Sequence, residues 1–212
     1  MRSFIIFLSI LTLSAIGNAQ TAQEYLNKVE EGFSKLNKAA YSFSLTIEIP
    51  EQSDITQTGS LKKEGDKVYA TIGDRWIKSD GTNQWVYDPE LNEVQIFNAS
   101  ESNALPISPE TLTRLYKDGS FEYDITGRGV IENKEVVFIE FKPLDDMSEY
   151  VKMRFALTEK DGQPVYFKVF ARDANRYTLE INSVDKSPVF DQDIFTFKPS
   201  DYPNVTVEDL RL

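Results

Sequence analysis

The run Tyr41-Ser42-Phe43-Ser44-Leu45-Thr46-Ile47-Glu48-Ile49-Pro50 alternates oily and polar side chains without a break until the proline. Successive side chains of a β-strand point to opposite faces, so this is a strand with one oily face and one wet face. The same period of two returns at residues 68–72, 151–158 and 177–182. Turn-forming pairs separate the runs: Gly65-Asp66, Gly73-Asp74, Asp80-Gly81, Asn133-Lys134 and Asp161-Gly162. Short strands joined by tight turns make an antiparallel meander, and the pattern predicts about ten or eleven strands.

Upstream, Thr21-Ala22-Gln23-Glu24 reads as a capping box. Tyr25, Leu26, Val29, Phe33 and Leu36 follow at helical spacing. The helix ends near Asn37, and Gly32 weakens it by about 1 kcal/mol relative to alanine. It therefore depends on docking. Further upstream, Arg2 precedes the apolar run 4–16, and Gly17-Asn18-Ala19 carries small residues where a signal peptidase reads. The expectation is a signal peptide over residues 1–19, cleaved after Ala19, leaving 20–212 as one soluble exported domain. The apolar run is shorter than the roughly 20 residues a membrane span needs.

Downstream, the meander breaks once. Ser108 is a good helix N-cap and Pro109 suits the first helical position. Leu105, Ile107, Leu112, Leu115 and Tyr116 are apolar on a segment of barely three turns. So short a helix is marginal alone, so it must lie on the oily face of the sheet or on a ligand. Two short helical segments cannot cover the oily face of some ten twisted strands, and the uncovered remainder is expected to be an apolar cavity.

Composition narrows the chemistry. The 212 residues are 41% hydrophobic and 27% charged, as in an ordinary globular protein. Neither Cys nor His occurs. That excludes disulfides, thiolate and imidazole metal sites, cysteine nucleophiles and Ser-His triads. The formal charge of -11 disfavours nucleic acid, whose phosphates need a basic footprint. It also discourages adhesion to anionic membranes. Two Ser-x-x-Lys matches, Ser60 to Lys63 and Ser183 to Lys186, lack companion motifs. Asp145-Asp146 and Asp191-Gln192-Asp193 lack a calcium-loop spacing and read as solvated turns. No enzyme activity, metal or cofactor is expected.

The passage Ser79-Asp80-Gly81, Trp85-Val86-Tyr87-Asp88-Pro89 and Glu93-Val94 resembles the bacterial outer-membrane lipoprotein carrier family (LolA-like). The close Phe195-Thr196-Phe197-Lys198-Pro199 and the tail from Asn204 to Asp209 are similar to that family too. The resemblance implies a mainly β fold with an α lid (α+β): an open antiparallel half-barrel with helices over its concave apolar face. It implies a periplasmic, non-enzymatic carrier that takes lipoproteins from an inner-membrane ABC transporter and passes them to an outer-membrane receptor. Leu105 to Lys117 then falls where the family has its lid. Many members carry an Arg-Pro before the strand equivalent to 68–72, and its arginine helps to hold the lid shut. Here Lys62-Lys63-Glu64-Gly65-Asp66 stands instead. Lys63 is the candidate substitute, without the forked guanidinium geometry.

For such a carrier the acyl-chain wall is expected at Phe43, Leu45, Ile47, Val68, Ile72, Trp76, Met153 and Phe155. The lid is expected at Leu105, Ile107, Leu112, Leu115 and Tyr116. The chain is expected to act as a monomer. Three other readings stay open: a carrier of another lipid or lipid-linked molecule, a relative of the outer-membrane receptor, and a β-rich hydrolase using carboxylates. The receptor is normally anchored through an N-terminal cysteine, which this chain lacks.

Overall fold

A computed structural model describes residues 20–100 and 116–211. The capping box forms as its sequence predicts. The Glu24 backbone N–H donates to Thr21 Oγ1 at 3.3 Å, and Glu24 Oε2 accepts from the Thr21 N–H at 3.2 Å. The helix it starts, α1 (Ala22–Lys35), turns Tyr25, Leu26 and Val29 inward, each at most 5% exposed.

Twelve strands make one sheet. In chain order these are β1 (Lys38–Glu48), β2 (Ile55–Glu64), β3 (Lys67–Ile72), β4 (Arg75–Ser79), β5 (Asn83–Asp88) and β6 (Glu93–Asn98). The second half contributes β7 (Phe121–Ile131), β8 (Lys134–Pro143), β9 (Tyr150–Thr158), β10 (Pro164–Ala171), β11 (Arg176–Asp185) and β12 (Thr206–Asp209). Across the sheet the order is β12-β6-β5-β4-β3-β2-β1-β11-β10-β9-β8-β7. Two meanders, β1–β6 and β7–β11, are thus joined along the β1–β11 pair. The edges, β12 and β7, do not meet, so the sheet is open.

The count of ten or eleven strands is corrected to twelve, and one pair is parallel. β12 is four residues long and wholly exposed, with only Val207 apolar, too short a run to announce a strand. It pairs with β6 in parallel, Val207 opposite Val94, because the tail returns across the sheet rather than through a hairpin. Asn92 fastens this return: its side-chain amide donates to the Asn204 carbonyl at 2.9 Å, and its own carbonyl accepts from Thr206 at 3.0 Å. Of the two expected helical segments, α1 is seen. Leu105, Ile107, Leu112 and Leu115 of the lid, like residues 1–19, lie outside the described residues.

Two apolar cores form at opposite ends of the sheet and on opposite faces. On the first face, α1 packs over β7–β10, against Val137, Ile139, Phe141, Phe155, Leu157 and Phe167. On the second face, the C-terminal segment brings Phe197, Tyr202 and Val205 over Trp76, Trp85 and Val94 of β4–β6. Lys78 is sealed beneath it at 8% exposure, with its ammonium 5.2 Å from the Trp76 ring and 5.3 Å from that of Tyr69. Burial pushes the Lys78 pKa down.

Phe43 of β1 leans across the sheet onto Gly59 of β2, its register partner. A Cβ on Gly59 would collide with the Phe43 ring and lie 2.5 Å from the Thr71 carbonyl oxygen. Gly32 in α1 is the opposite case, with nothing within 4 Å of an added Cβ. Gly59→Ala should therefore cost about 1–3 kcal/mol, as overpacking does. Gly32→Ala should add about 0.4–1 kcal/mol by stiffening the unfolded chain and favouring the helix. Urea denaturation of the two variants checks the opposite signs; a neutral Gly59→Ala would refute the close packing of β1 on β2.

Candidate functional site

The pairing registers carry one face across the whole sheet. Phe43 stands opposite Ile181 and Gly59; Leu45 stands opposite Leu179 and Gln57; Ile47 stands opposite Tyr177 and Ile55. Further out, Leu61 pairs with Ala70, Ala70 with Ile77, and Ile77 with Val86. In the other direction Leu179 pairs with Phe167, Phe167 with Phe155, and Phe155 with Ile139. Those last residues lie under α1, so the apolar band continues the floor of the α1 core past the helix. Leu45, Ile47, Val68, Ile72, Leu179 and Ile181 are half-buried and belong to neither core.

The eight expected wall residues separate accordingly. Phe43, Leu45, Ile47, Val68 and Ile72 share the face that carries α1. Met153 and Phe155 share it too, but at 6% and 3% exposure they are packed core beneath the helix. Trp76 does not join them. It pairs with Thr71, so its side chain leaves by the second face. There it stacks on Tyr87 at 5.3 Å and meets Tyr202 at 5.1 Å. The sequence held the signal for this: a two-residue Gly73-Asp74 turn pairs Ile72 with Arg75, and hence Thr71 with Trp76. Leu61, Ile77, Val86, Leu179 and Ile181 complete the band and were not among the expected wall residues. The facing of a strand follows only from its partners' register.

Tyr116 is the one expected lid residue that is described. It is 9% exposed and belongs to the α1 core. Its hydroxyl donates to Glu30 Oε2 at 2.8 Å, and Lys117 Nζ donates to Glu30 Oε1 at 2.6 Å. Hydrogen bonds from Lys117 and Tyr116 hold the Glu30 carboxyl below its ordinary pKa. Residues 116–117 are thereby fastened to the middle of α1. Lys63 is half-buried on the α1 face, opposite Val68 and Ala39, with no carboxylate partner among the described residues.

Between α1 and strands β1 and β11 the band opens into a cavity of about 250 Å³. Val29, Phe33 and Leu36 of the helix face Tyr41, Ile181 and Val184 of the sheet across it. Burial raises the Tyr41 pKa, so the phenol stays neutral in this wall.

Of the groups considered for chemistry, Ser60, Asp145 and Asp191 make local bonds. Ser60 and Lys63 are three apart on a strand and point to opposite faces; Ser60 Oγ bonds Thr71 Oγ1 at 2.9 Å. Asp145 Oδ1 accepts from the Met147 N–H at 2.8 Å, and Asp191 Oδ1 accepts from that of Asp193 at 3.2 Å, both as turn chemistry. Among the described residues no three acidic side chains converge as a metal site, and no helix is long and apolar enough to cross a membrane.

No curated protein matches the chain. Among solved structures, an uncharacterized conserved protein from Thermus thermophilus aligns with 89% of this chain and 98% of its own, at 11% identity and a TM-score of 0.55. It shares the fold. A LolA superfamily protein from Nitrosomonas europaea aligns with 84% of this chain and 99% of its own, at 12% identity and a TM-score of 0.43. A putative outer membrane lipoprotein-sorting protein domain from Vibrio parahaemolyticus gives 81%, 96%, 12% and 0.43 for the same quantities. The family described as outer membrane lipoprotein carrier protein LolA matches residues 13–141, more than half of the sequence, and the chain belongs to that family.

Proposed function

We propose that this protein is a periplasmic carrier that holds the acyl chains of lipoproteins on the α1 face of its sheet. In this reading it collects them from the inner-membrane ABC release transporter and delivers them toward the outer membrane, to a receptor where one exists. The supporting observation is the apolar band that runs from the α1 core across β11, β1, β2 and β3 without belonging to a core. An alkyl chain laid on such a band loses water contact worth about 0.8 kcal/mol per methylene. No directional bond is needed, so cargo with different protein parts but the same lipid is held alike.

Leu45, Ile47, Val68 and Ile72, with Phe43 behind them, form the wall. Met153 and Phe155 support it from beneath α1. Leu105, Ile107, Leu112 and Leu115 form the lid, hinged where Tyr116 is tied to Glu30. The connection that contains them joins β6 near one edge of the sheet to β7 at the other, a reach suited to a cover. Lys63 takes the lid-closing role of the family arginine. Residues 1–19 direct export and are removed. Binding and release require no catalytic step.

Neighbouring residues of one strand give a matched test. Leu45 is on the α1 face and Thr46 on the other. Leu45→Gln should weaken binding of a fluorescent diacylated lipopeptide roughly ten-fold or more, as expected for about 1.5–3 kcal/mol of lost apolar contact. Thr46→Gln should leave binding within about two-fold. Equal effects of the two substitutions would refute the assignment of the face.

Export makes a second, separate prediction. N-terminal sequencing of the protein recovered from a periplasmic extract should read from Gln20. A chain retaining its first residues in the membrane fraction would refute the soluble shuttle.

A further inference from the structure

We infer that the cavity between α1 and strands β1 and β11 takes one alkyl chain of a lipid with an anionic head, the head resting among the lysines that line the cavity. This rests on the lipid-carrying reading and specifies its ligand. The apolar wall described above is rimmed by three lysines, Lys28 and Lys35 from α1 and Lys186 from beyond β11. Among the described residues no carboxylate lines the cavity, although the chain carries 34 acidic residues against 23 basic ones.

Two of the three cations form no ion pair among the described residues. Lys186 is exposed and has no carboxylate partner among the described residues. Lys28 donates to the Gln20 side-chain amide at 3.1 Å and lies 5.3 Å from the Tyr25 ring, but forms no ion pair. Only Lys35 is paired, to Glu31 at 2.8 Å, in an arrangement open to solvent. A locally basic patch on a protein of the opposite net charge focuses ions of the complementary sign. The volume of about 250 Å³ lies below the range of about 300–1,000 Å³ that suits larger ligands. One alkyl chain fits it better than two. Because Ile181 in the cavity wall pairs with Phe43, the chain's tail has a continuous apolar path onto the band.

The test is displacement of dansyl-labelled undecanoate from the full chain, read by fluorescence below micelle-forming concentrations. Competitors are tetradecanoate, tetradecyl phosphate and the uncharged tetradecanol, with inorganic phosphate as the head alone. Tetradecanoate or tetradecyl phosphate should compete roughly ten-fold better than tetradecanol, and the better of the two identifies the head. The double variant Lys28→Gln/Lys186→Gln should erase that preference, since two partly exposed charge contacts together give about a ten-fold effect. It should leave tetradecanol unchanged. Added salt should shrink the preference in the original protein and not in the variant.

Gly32→Leu supplies the second arm. Its side chain enters open space beside the cavity and favours the helix. It should weaken both charged and uncharged competitors about ten-fold without lowering the melting temperature. If tetradecanol competes as well as the anions and the lysine variant changes nothing, the head-group assignment fails while the carrier reading stands. If Gly32→Leu binds normally, the location fails. If the labelled probe and every alkyl competitor are ignored, both readings fail together.

Discussion

An oily sheet face must be covered, and this chain covers its two faces at different ends. The α1 core shields the β7–β10 end of one face. The C-terminal aromatics shield the β3–β6 end of the other. Between these covers, the α1 face of β11, β1, β2 and β3 presents Leu179, Leu45, Leu61 and Val68 at intermediate exposure. A folded chain gains nothing by leaving such a band half-wet, since each buried branched side chain is worth about 1.5–3 kcal/mol. A band like this has its physical explanation in what is laid upon it.

The staggered covers also account for the way the sheet is joined. The two meanders meet only through β1 and β11, which pair from Ala40–Asp185 to Glu48–Arg176 with a bulge after Ser42. That pair lies in the centre of the sheet, at the rim of the α1 core and at the start of the band. Phe43 is the residue that serves both. It is 8% exposed, seated on Gly59, and faces Ile181 across the seam. In the proposed carrier, a rigid seam beside this band would let its occupant change without the sheet coming apart, because the backbone bonds across β1–β11 do not depend on what occupies the band.

Much of this architecture was legible from period and punctuation. The alternation from Tyr41 to Ile49, the Thr21–Glu24 capping box and the Asp80-Gly81 turn each reflect a local rule, and each forms. In that turn Asp80 Oδ1 accepts from the Thr82 and Asn83 N–H groups, at 2.9 and 2.7 Å, while Gly81 takes a φ of +92°. What stayed hidden is non-local. The strand β12 is four residues long with Val207 as its one apolar side chain, too short for its alternation to announce a strand, and it is held by backbone pairing and by Asn92. Trp76 is the exception: its facing follows locally from the two-residue Gly73-Asp74 turn, which sends it to the second face. Met153 and Phe155 carry the right pattern for a wall, but α1 sits on them, and a helix's docking position is not written in its own period. The Lys28, Lys35 and Lys186 rim joins residues more than 150 positions apart and has no signature along the chain at all.

Holding and releasing a lipid place opposed demands on the same surface. Apolar burial meets both because its strength scales with area and not with direction. A polar site selective enough to hold cargo would leave unpaired donors behind when the cargo left, at a cost of about 1–3 kcal/mol for each buried group. The band has few such groups: most of its members are Leu, Ile, Val and Phe, with Gln57, Lys63 and Tyr177 as the polar side chains on that face, while the serines and threonines of β1, β2, β3 and β11 lie on the other. Emptying it returns water to hydrocarbon and exposes no buried charge. In the proposed carrier, the free energy of release depends on chain length and on the receiving apolar surface, so a partner with a somewhat larger greasy contact would suffice to draw the lipid away.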